Sequence, residues 1–181
     1  MSYLSAKKPI HPLLLDTEEI LPKKGLALDL GCGSGENALW LEKRGLRVTA
    51  IDVNPEAVAI TKKKLQRGRA EVQDIRDIVS DPKGKAKYKV VVAINAFQFL
   101  PRPTTIKSVI EKVYTLVQPK GFFVISIFGE HDDWKQLQLV KPAYARTALF
   151  TNFTLIRYPE IDYDSRPAGQ QKPPKPWHIF S

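Results

Sequence analysis

Short apolar runs alternate with longer amphipathic stretches along the first 128 residues of the chain. The apolar runs predict buried strands, because they are rich in aliphatic and β-branched side chains. They are Leu26–Leu30, Leu46–Asp52, Ala70–Gln73, Tyr88–Ile94 and Phe122–Phe128. The amphipathic stretches predict helices at Asn37–Arg44, at Glu56–Gln66, and from a cap at Thr104 or Thr105 to Val117. This alternation predicts right-handed βαβ units around a parallel sheet, in a single domain that spans residues 1–181.

Turn residues mark the boundaries of these elements. Asn54 and Pro55 predict an N-cap and a first helical residue, and Gln118–Gly121 predicts a tight turn before the fifth strand. Residues 1–25 form a leader with a short helix predicted within Leu13–Leu21. The leader is either a lid over a site or a loosely packed segment. Two further strands are predicted late in the chain, at Phe153–Tyr158 and Trp177–Phe180.

A glycine-rich loop joins the first strand to the first helix. Gly31, Gly33 and Gly35 occupy alternate positions there, which allows positive φ and a close approach of backbone N–H groups to a ligand. A dinucleotide-binding loop has its third glycine one residue later, where this chain has Glu36. Asp29, two residues before Gly31, would favour a cationic ligand group at close range. An ordinary tight strand-to-helix turn is the alternative interpretation.

Further candidate residues follow the next three strands, at Asp52, at Asp74-Ile75 and at Asn95–Phe97. In a doubly wound sheet, ligands bind at the carboxyl ends of the strands. Asp52 could accept two ribose hydroxyls, Asp74 an amino group of a base, and apolar side chains such as Phe97 could sandwich that base. Each residue also has a structural interpretation, as a capping or turn acid for the aspartates and as core for Phe97.

In combination these segments resemble the class I S-adenosylmethionine (SAM) methyltransferases. The matching segments are Leu-Asp-Leu-Gly-Cys-Gly-Ser-Gly, Ala-Ile-Asp-Val-Asn-Pro, Gln-Asp-Ile and Leu-Val-Gln-Pro-Lys-Gly-Phe-Phe-Val. The resemblance covers residues 26–128, and the compact size is also similar to that of the tellurite-resistance (TehB-like) group. Residues 130–181 carry no substrate motif that could be transferred.

The resemblance implies an α/β fold, a Rossmann-like doubly wound seven-stranded sheet. Its implied strand order is 3-2-1-4-5-7-6, with strand 7 antiparallel and cut short by the end of this sequence. It also implies SAM as cofactor, S-adenosylhomocysteine as product and no metal. The implied cofactor-binding residues are Asp29, Gly31, Cys32, Gly33, Gly35, Asn37, Asp52, Val53, Asp74, Ile75, Asn95, Ala96 and Phe97. Within this set we interpret Cys32 as a small spacer rather than a nucleophile.

Methyl transfer to a small-molecule acceptor is the function that we predict. A general base is needed only if the acceptor must lose a proton, and His131, His11 and Tyr3 are candidates for it. One alternative is methylation of RNA or another nucleic acid, although Asn95-Ala96-Phe97-Gln98 is not the Asn/Asp-Pro-Pro-aromatic motif of base-amino methyltransferases. A non-catalytic SAM-binding module is the other, and the intact glycine loop argues against it.

Charge and composition exclude only a few classes of partner and location. The chain has 28 basic and 19 acidic residues, a net charge of +9. The basic residues are scattered and not interleaved with aromatics, so we expect only non-specific contact with nucleic acid. A single cysteine excludes an internal disulfide, and we find neither a signal peptide nor an apolar run of about 20 residues. We therefore expect a cytoplasmic protein without a membrane partner. The sequence identifies neither the particular acceptor molecule nor the oligomeric state.

Overall fold

The computed structural model describes residues 9–80, 86–126, 149–157 and 178–180. Strands and helices alternate as the hydrophobic pattern predicts. The elements are α1 (Pro12–Asp16), β1 (Gly25–Leu30), α2 (Glu36–Lys43), β2 (Leu46–Asp52), α3 (Pro55–Lys64), β3 (Arg69–Val72), β4 (Tyr88–Ala93), α4 (Pro103–Leu116), β5 (Val117–Ile125), β6 (Leu155–Arg157) and β7 (His178–Phe180). Single turns of 3-10 helix follow β3, at Ile75–Asp77, and β4, at Phe97–Phe99.

The first five strands form a parallel sheet in the order β3-β2-β1-β4-β5, which confirms the predicted α/β class and its central first strand. The register sets Leu30 opposite Ile51 and Asp52 opposite Val72, so the carboxyl ends of β1, β2 and β3 meet at one edge. Next to β5 lies the three-residue strand β7, which pairs antiparallel with it, and β6 pairs antiparallel with β7.

Two apolar layers cover the sheet. On one face Leu28 and Leu30 of β1 belong to a cluster that includes Ile106 and Ile110 of α4. On the other face Ala27 and Val90 belong to a cluster with residues of α2 and α3 such as Leu41 and Val58. Because the central strands are buried on both sides, they appear in the sequence as continuous apolar runs instead of alternating ones.

Of three predicted helix boundaries, the structure confirms one and differs at two. Asn54 caps α3 as predicted, since its side chain accepts a hydrogen bond from the Glu56 N–H at 2.9 Å. The prediction of a threonine cap for α4 was wrong: Arg102 occupies the N-cap position, and Pro103 supplies the fixed φ of a first helical turn. Helix α1 ends at Asp16, earlier than predicted, and the Thr17 hydroxyl donates to the Leu14 carbonyl at 2.8 Å.

The turn predicted at Gln118–Gly121 lies inside β5 as a bulge. The register jumps there, from Tyr88 opposite Val117 to Val90 opposite Phe122. Lys120 takes φ 61°, the left-handed conformation that turn residues adopt. The turn chemistry was thus predicted correctly, and only its position between two separate elements was wrong. No helix in the ranges that the structure describes is long and apolar enough to cross a membrane.

Candidate functional site

The backbone of the loop after β1 favours glycine at all three glycine positions. All three residues have positive φ, at 72° for Gly31, 52° for Gly33 and 81° for Gly35. A Cβ on Gly31 would lie 2.7 Å from the Cβ of Ala96, so this glycine lets the loop approach the end of β4. A Cβ on Gly33 would meet nothing within 4 Å. The middle of the loop therefore borders open space that a ligand could fill.

Helix α3 holds the loop from behind. The Thr61 hydroxyl donates to the Gly33 carbonyl at 3.0 Å, and a Cβ on Gly35 would lie 2.5 Å from that hydroxyl oxygen. The Lys64 ammonium donates to the Ser34 carbonyl at 2.8 Å and pairs with the Glu36 carboxylate at 2.5 Å. These roles of Thr61, Lys64 and Glu36 were not predicted from the sequence. The available signal was the i, i+3 spacing of Thr61 and Lys64, which puts both on one side of the helix.

Asp52 ties the loop to the end of β2. Its Oδ2 accepts from the Gly33 N–H at 2.8 Å and its Oδ1 from the Asn54 N–H at 2.9 Å. The residue is half-buried, and Val53 beside it is 61% exposed. A carboxylate oxygen accepts more than one hydrogen bond. Asp52 can therefore keep both backbone contacts and still accept hydroxyl donors from the solvent side.

Asp29 is a buried carboxyl group at the root of the loop. It is 1% exposed and is hydrogen-bonded by the Ala38 backbone, whereas its Oδ2 has no partner among the described residues. Burial, with the nearby charge of Asp52 as a smaller cause, raises the pKa of Asp29 to about 7. A group held this way gains from a cation brought next to it.

Cys32 points away from the open side of the loop, with its Sγ 3.7 Å from the Thr61 hydroxyl. Burial, together with the negative charges of Asp29 and Asp52, raises the pKa of this thiol. A protonated, buried thiol is a poor nucleophile, which agrees with the interpretation of Cys32 as a spacer. Asn37 lies half-buried in the first turn of α2, directly after the loop.

At the end of β3 the Asp74 carboxylate is already engaged. Its Oδ1 accepts from the Arg76 N–H at 2.8 Å, and its Oδ2 accepts from the Arg76 guanidinium at 2.9 and 2.5 Å. The hydrogen bond from this side chain lowers the pKa of Asp74. The Gln73 N–H donates to the Asp52 carbonyl at 3.0 Å, which sets the two acids side by side along the edge. Ile75 packs into the core and is 8% exposed.

The end of β4 is a strained turn. Asn95 takes φ 54°, its N–H donates to the Ser126 hydroxyl at 2.7 Å, and that hydroxyl donates back to the Asn95 side-chain oxygen at 3.2 Å. Ser126 follows β5 and was missed because it was counted within a buried strand. Ala96, 7% exposed, meets Gly31 across this turn.

The structure corrects the prediction that the Phe97 ring could sandwich a base. Its ring is fully buried and lies 6.3 Å from the ring of Phe123, so it has no free surface to sandwich a base. The structure supports the alternative that Phe97 belongs to the core. The exposed aromatic ring of this segment is Phe99, which is 64% exposed.

The candidate general bases do not join the site in the part that the structure describes. Tyr3 and His131 lie outside the described residues. His11 caps α1, since its Nδ1 accepts from the Leu13 N–H at 3.2 Å, and burial lowers the pKa of the imidazole to about 4. Its unprotonated nitrogen is thus used in a structural contact. The described residues contain no cluster of His, Cys, Asp and Glu that could hold a metal.

The loop, Asp52, Asp74 and the Asn95 turn are brought together at one edge of the sheet, as predicted. The family described as "Methyltransferase domain" matches residues 27–121, which is more than half of the chain and includes all four features. Among curated relatives, YqeM of Bacillus subtilis (strain 168) is 30% identical over 122 residues, covering 65% of this chain and 47% of YqeM. The chain spans about half the length of the curated relatives it matches.

Solved structures show the same fold. A TehB-like SAM-dependent methyltransferase from Corynebacterium glutamicum superposes with a TM-score of 0.71 at 21% identity, covering 98% of this chain and 90% of the other. The 1,6-didemethyltoxoflavin-N1-methyltransferase of Burkholderia thailandensis, with bound 1,6-didemethyltoxoflavin and S-adenosylhomocysteine, has a TM-score of 0.69 at 18% identity and coverages of 94% and 75%. The family match confirms the resemblance stated from the sequence. The chain belongs to the class I SAM-dependent methyltransferase family.

Proposed function

We propose that this protein transfers the methyl group of SAM to a small-molecule acceptor at the carboxyl edge of its parallel sheet. SAM, when bound, would supply an activated methyl group on a sulfonium, so the chain itself needs no nucleophilic residue. The task of the protein is to bind the cofactor, to orient the acceptor and to exclude competing water. The observation that carries the proposal is the Asp52 carboxylate, which is fixed by the Gly33 and Asn54 N–H groups beside an open glycine loop.

The residues at this edge fit an adenosyl cofactor. Asp52 offers fixed acceptor oxygens for the two ribose hydroxyls, and Val53 offers an exposed apolar surface next to them. The Asp74 carboxylate offers an acceptor for the adenine amino group. It would accept from this group and from the Arg76 guanidinium together. The unpartnered Oδ2 of Asp29 supplies a counter-charge behind the glycine loop, where the cationic methionine end would gain from it. A pyrophosphate at the loop would instead be disfavoured by the ionised form of Asp29.

Of the other predicted cofactor residues, we propose backbone roles for most. Gly31, Cys32, Gly33 and Gly35 shape the loop, Asn37 lies in the first turn of the helix behind it, and Asn95 and Ala96 form the facing wall. Ile75 and Phe97 have little or no exposed side chain, so their backbone groups would make any contact.

A small acceptor fits the polar and apolar groups around the loop. Val53 after β2 and Phe99 after β4 are exposed apolar side chains that follow strands ending at this edge, and an organic acceptor could contact them. The similar Burkholderia enzyme, whose structure holds 1,6-didemethyltoxoflavin with S-adenosylhomocysteine, supports this class of acceptor. We further propose that β6 and β7 complete the order 3-2-1-4-5-7-6, which the short antiparallel pairs beside β5 support. We also propose that residues 1–181 form a single domain, that the leader covers the site, and that the protein is cytoplasmic.

Calorimetric titration of the purified protein with SAM, S-adenosylhomocysteine and NAD tests the cofactor half of the proposal. We expect saturable binding of the first two and little or none of NAD, because Asp29 lies behind the glycine loop, where a pyrophosphate would bind, and the third glycine comes one residue early. Tight binding of NAD without binding of SAM would overturn it. Incubation with methyl-labelled SAM and a panel of small phenols, amines, thiols and oxyanions then tests the acceptor class.

A further inference from the structure

A cavity of about 190 Å³ opens at the amino-terminal edge of the sheet, opposite the glycine loop. Its lining includes Arg47 near the start of β2, Arg69 at the start of β3, Arg67 just before it and Lys87 just before β4. Because the strands are parallel, their amino ends meet at the edge opposite Asp52. Asp52 lies five positions after Arg47 in β2, which puts about 16 Å between this cavity and the proposed cofactor site.

The sheet register sets the side chains of Arg47 and Arg69 on one face of the sheet. Arg47 lies opposite Leu26 of β1, and Thr49, two residues further along the same face, lies opposite Arg69. Helices α2 and α3 pack on the other face, against the cluster that includes Val48. In the described part of the chain the connection from β3 to β4 contains a single 3-10 turn and no α-helix. This leaves Arg47 and Arg69 exposed above the sheet.

The local charge of the cavity is strongly positive. Arg69 pairs with the exposed Glu71 at 2.6 Å, whereas no ion pair is recorded for Arg47 or Lys87 within the described ranges. Glu42 lies near Arg67, but its carboxylate accepts from three backbone N–H groups, of Gln66, Arg67 and Gly68, at 2.5–2.9 Å. Four basic side chains thus line the cavity, of which Arg67 also donates to the Glu42 carbonyl at 2.9 Å, and the nearby carboxylates are the exposed Glu71 and the fully engaged Glu42.

We propose that this basic cavity binds the phosphate or pyrophosphate group of a small phosphorylated ligand. Guanidinium groups present paired donors that match phosphate oxygens, and Lys87 and the Thr49 hydroxyl add further donors. The volume lies below the roughly 300–1,000 Å³ of sites that enclose drug-sized ligands. It fits one or two phosphoryl groups, and the rest of the ligand lies outside. The site does not depend on the methyltransferase proposal, since it shares no residue with the cofactor edge.

Pyrophosphate is the probe, titrated into the full chain at about 150 mM salt, where diffuse surface attraction is screened. Amide resonances followed by NMR locate the site. We expect saturable shifts at Thr49, Gly68 and Lys87 and none at Gly33. Arg47→Gln and Lys87→Gln should each weaken binding by about tenfold, as for loss of one charge-assisted hydrogen bond. Lys62→Gln, which removes an exposed charge from α3 outside the cavity, should leave the affinity unchanged.

Three results would overturn the proposal. The first is the absence of saturable binding, or an equal loss in Lys62→Gln, which would indicate diffuse electrostatics only. The second is displacement of pyrophosphate by S-adenosylhomocysteine with shifts at Gly33, which would place the anion at the glycine loop. The third is tighter, cavity-dependent binding of a short RNA at the same salt concentration, which would assign the basic residues to a nucleic acid.

Discussion

At the scale of single residues, the candidate site depends on carboxylates in contrasting environments. Asp52 is half-buried and bound by two backbone N–H groups, so it is a fixed and accessible acceptor. Asp29 is fully enclosed, and one of its oxygens has no partner among the residues that the structure describes, so its charged form is unfavourable until a cation arrives. Because these environments differ, replacing each acid should have a different and measurable consequence.

Replacing Asp52 with alanine should weaken SAM binding without unfolding the protein. Loss of hydrogen bonds from a charged acceptor to two hydroxyls costs on the order of 1.5–3 kcal/mol, which is tenfold or more in affinity. The two N–H groups that Asp52 releases lie near solvent, so stability should fall by about 1 kcal/mol, a few degrees in Tm. Calorimetry and thermal unfolding measure the two effects. Asp16→Ala, an exposed aspartate at the end of α1, is the control. Unchanged affinity with a sharply lowered Tm would make Asp52 a structural cap instead.

Asp29 should make cofactor binding depend on pH. With a folded-state pKa of about 7, the free protein keeps the Asp29 proton at a pH where the unfolded chain has lost it. This residue therefore lowers stability progressively as the pH rises from about 4 to about 7, and the loss is complete above that range. A cationic ligand favours the ionised form, so binding below pH 7 must release the proton. We expect SAM affinity to fall towards tenfold per unit as the pH drops below about 7.

Titration in two buffers of different ionisation enthalpy counts the protons released at pH 6. Asp29→Asn is the matched variant, because it keeps an acceptor for the Ala38 backbone but cannot ionise. Its weaker binding should be independent of pH, and its stability relative to the wild type should increase from pH 5 to pH 8. A flat affinity profile in the wild type, with no proton released, would remove Asp29 from the cofactor site.

At the scale of elements, the sequence predicted what local chemistry determines and missed what long-range contacts determine. Strand β2 and the Asn54 cap were predicted correctly, because apolar runs and capping residues act over a few neighbours. The contact of Thr61 with the Gly33 carbonyl joins residues 28 positions apart, and no local pattern indicates it. Phe97 could equally have been a ligand contact or core in the sequence, because only tertiary packing on Phe123 decides between them.

The role of α3 in holding the loop can be tested with Thr61→Val. Valine matches the shape of threonine but donates no hydrogen bond, so the Gly33 carbonyl loses its partner. We expect a loss of about 1–2 kcal/mol in the free energy of unfolding and weaker SAM binding, because the loop is less ordered. Chemical denaturation and calorimetry measure these effects. Thr104→Val, on the exposed side of α4, should change neither quantity by a comparable amount. Equal effects of both substitutions would show that α3 does not support the loop.

The bulge in β5 provides a stability prediction that is separate from the site. Lys120 is exposed and adopts φ 61°, which disfavours any residue with a Cβ. Lys120→Gly should therefore raise the free energy of unfolding by about 0.5–1 kcal/mol, after allowance for the greater freedom of glycine in the unfolded chain. Lys120→Ala keeps the Cβ and should show no such gain. Urea denaturation compares the two, and an alanine variant as stable as the glycine variant would argue against a left-handed residue here.

At the scale of the whole molecule, the two ends of the sheet differ in charge. Among the described residues, the half-buried carboxylate of Asp52 and the carboxylate of Asp74, which is paired with Arg76, lie at the carboxyl edge, whereas Arg47, Arg67, Arg69 and Lys87 line the cavity at the amino edge. A polyanion would be attracted to the molecule but held away from the cofactor edge by the acids, which favours a small acceptor over RNA.

The final prediction follows from this separation of charge. With labelled SAM at moderate salt, label should enter a small phenol, amine, thiol or oxyanion in the absence of RNA, and Asp52→Ala should lower the rate at limiting SAM. Total RNA should bind only through phosphate contacts, so its retention on a filter should fall steeply between about 50 and 200 mM salt. Label in RNA should stay at the level of a reaction without enzyme. Sequence-selective labelling of RNA at moderate salt, with no small acceptor found across the panel, would contradict the prediction and make a nucleic-acid methyltransferase the better interpretation, because specific transfer requires contacts that survive when phosphate attraction is screened.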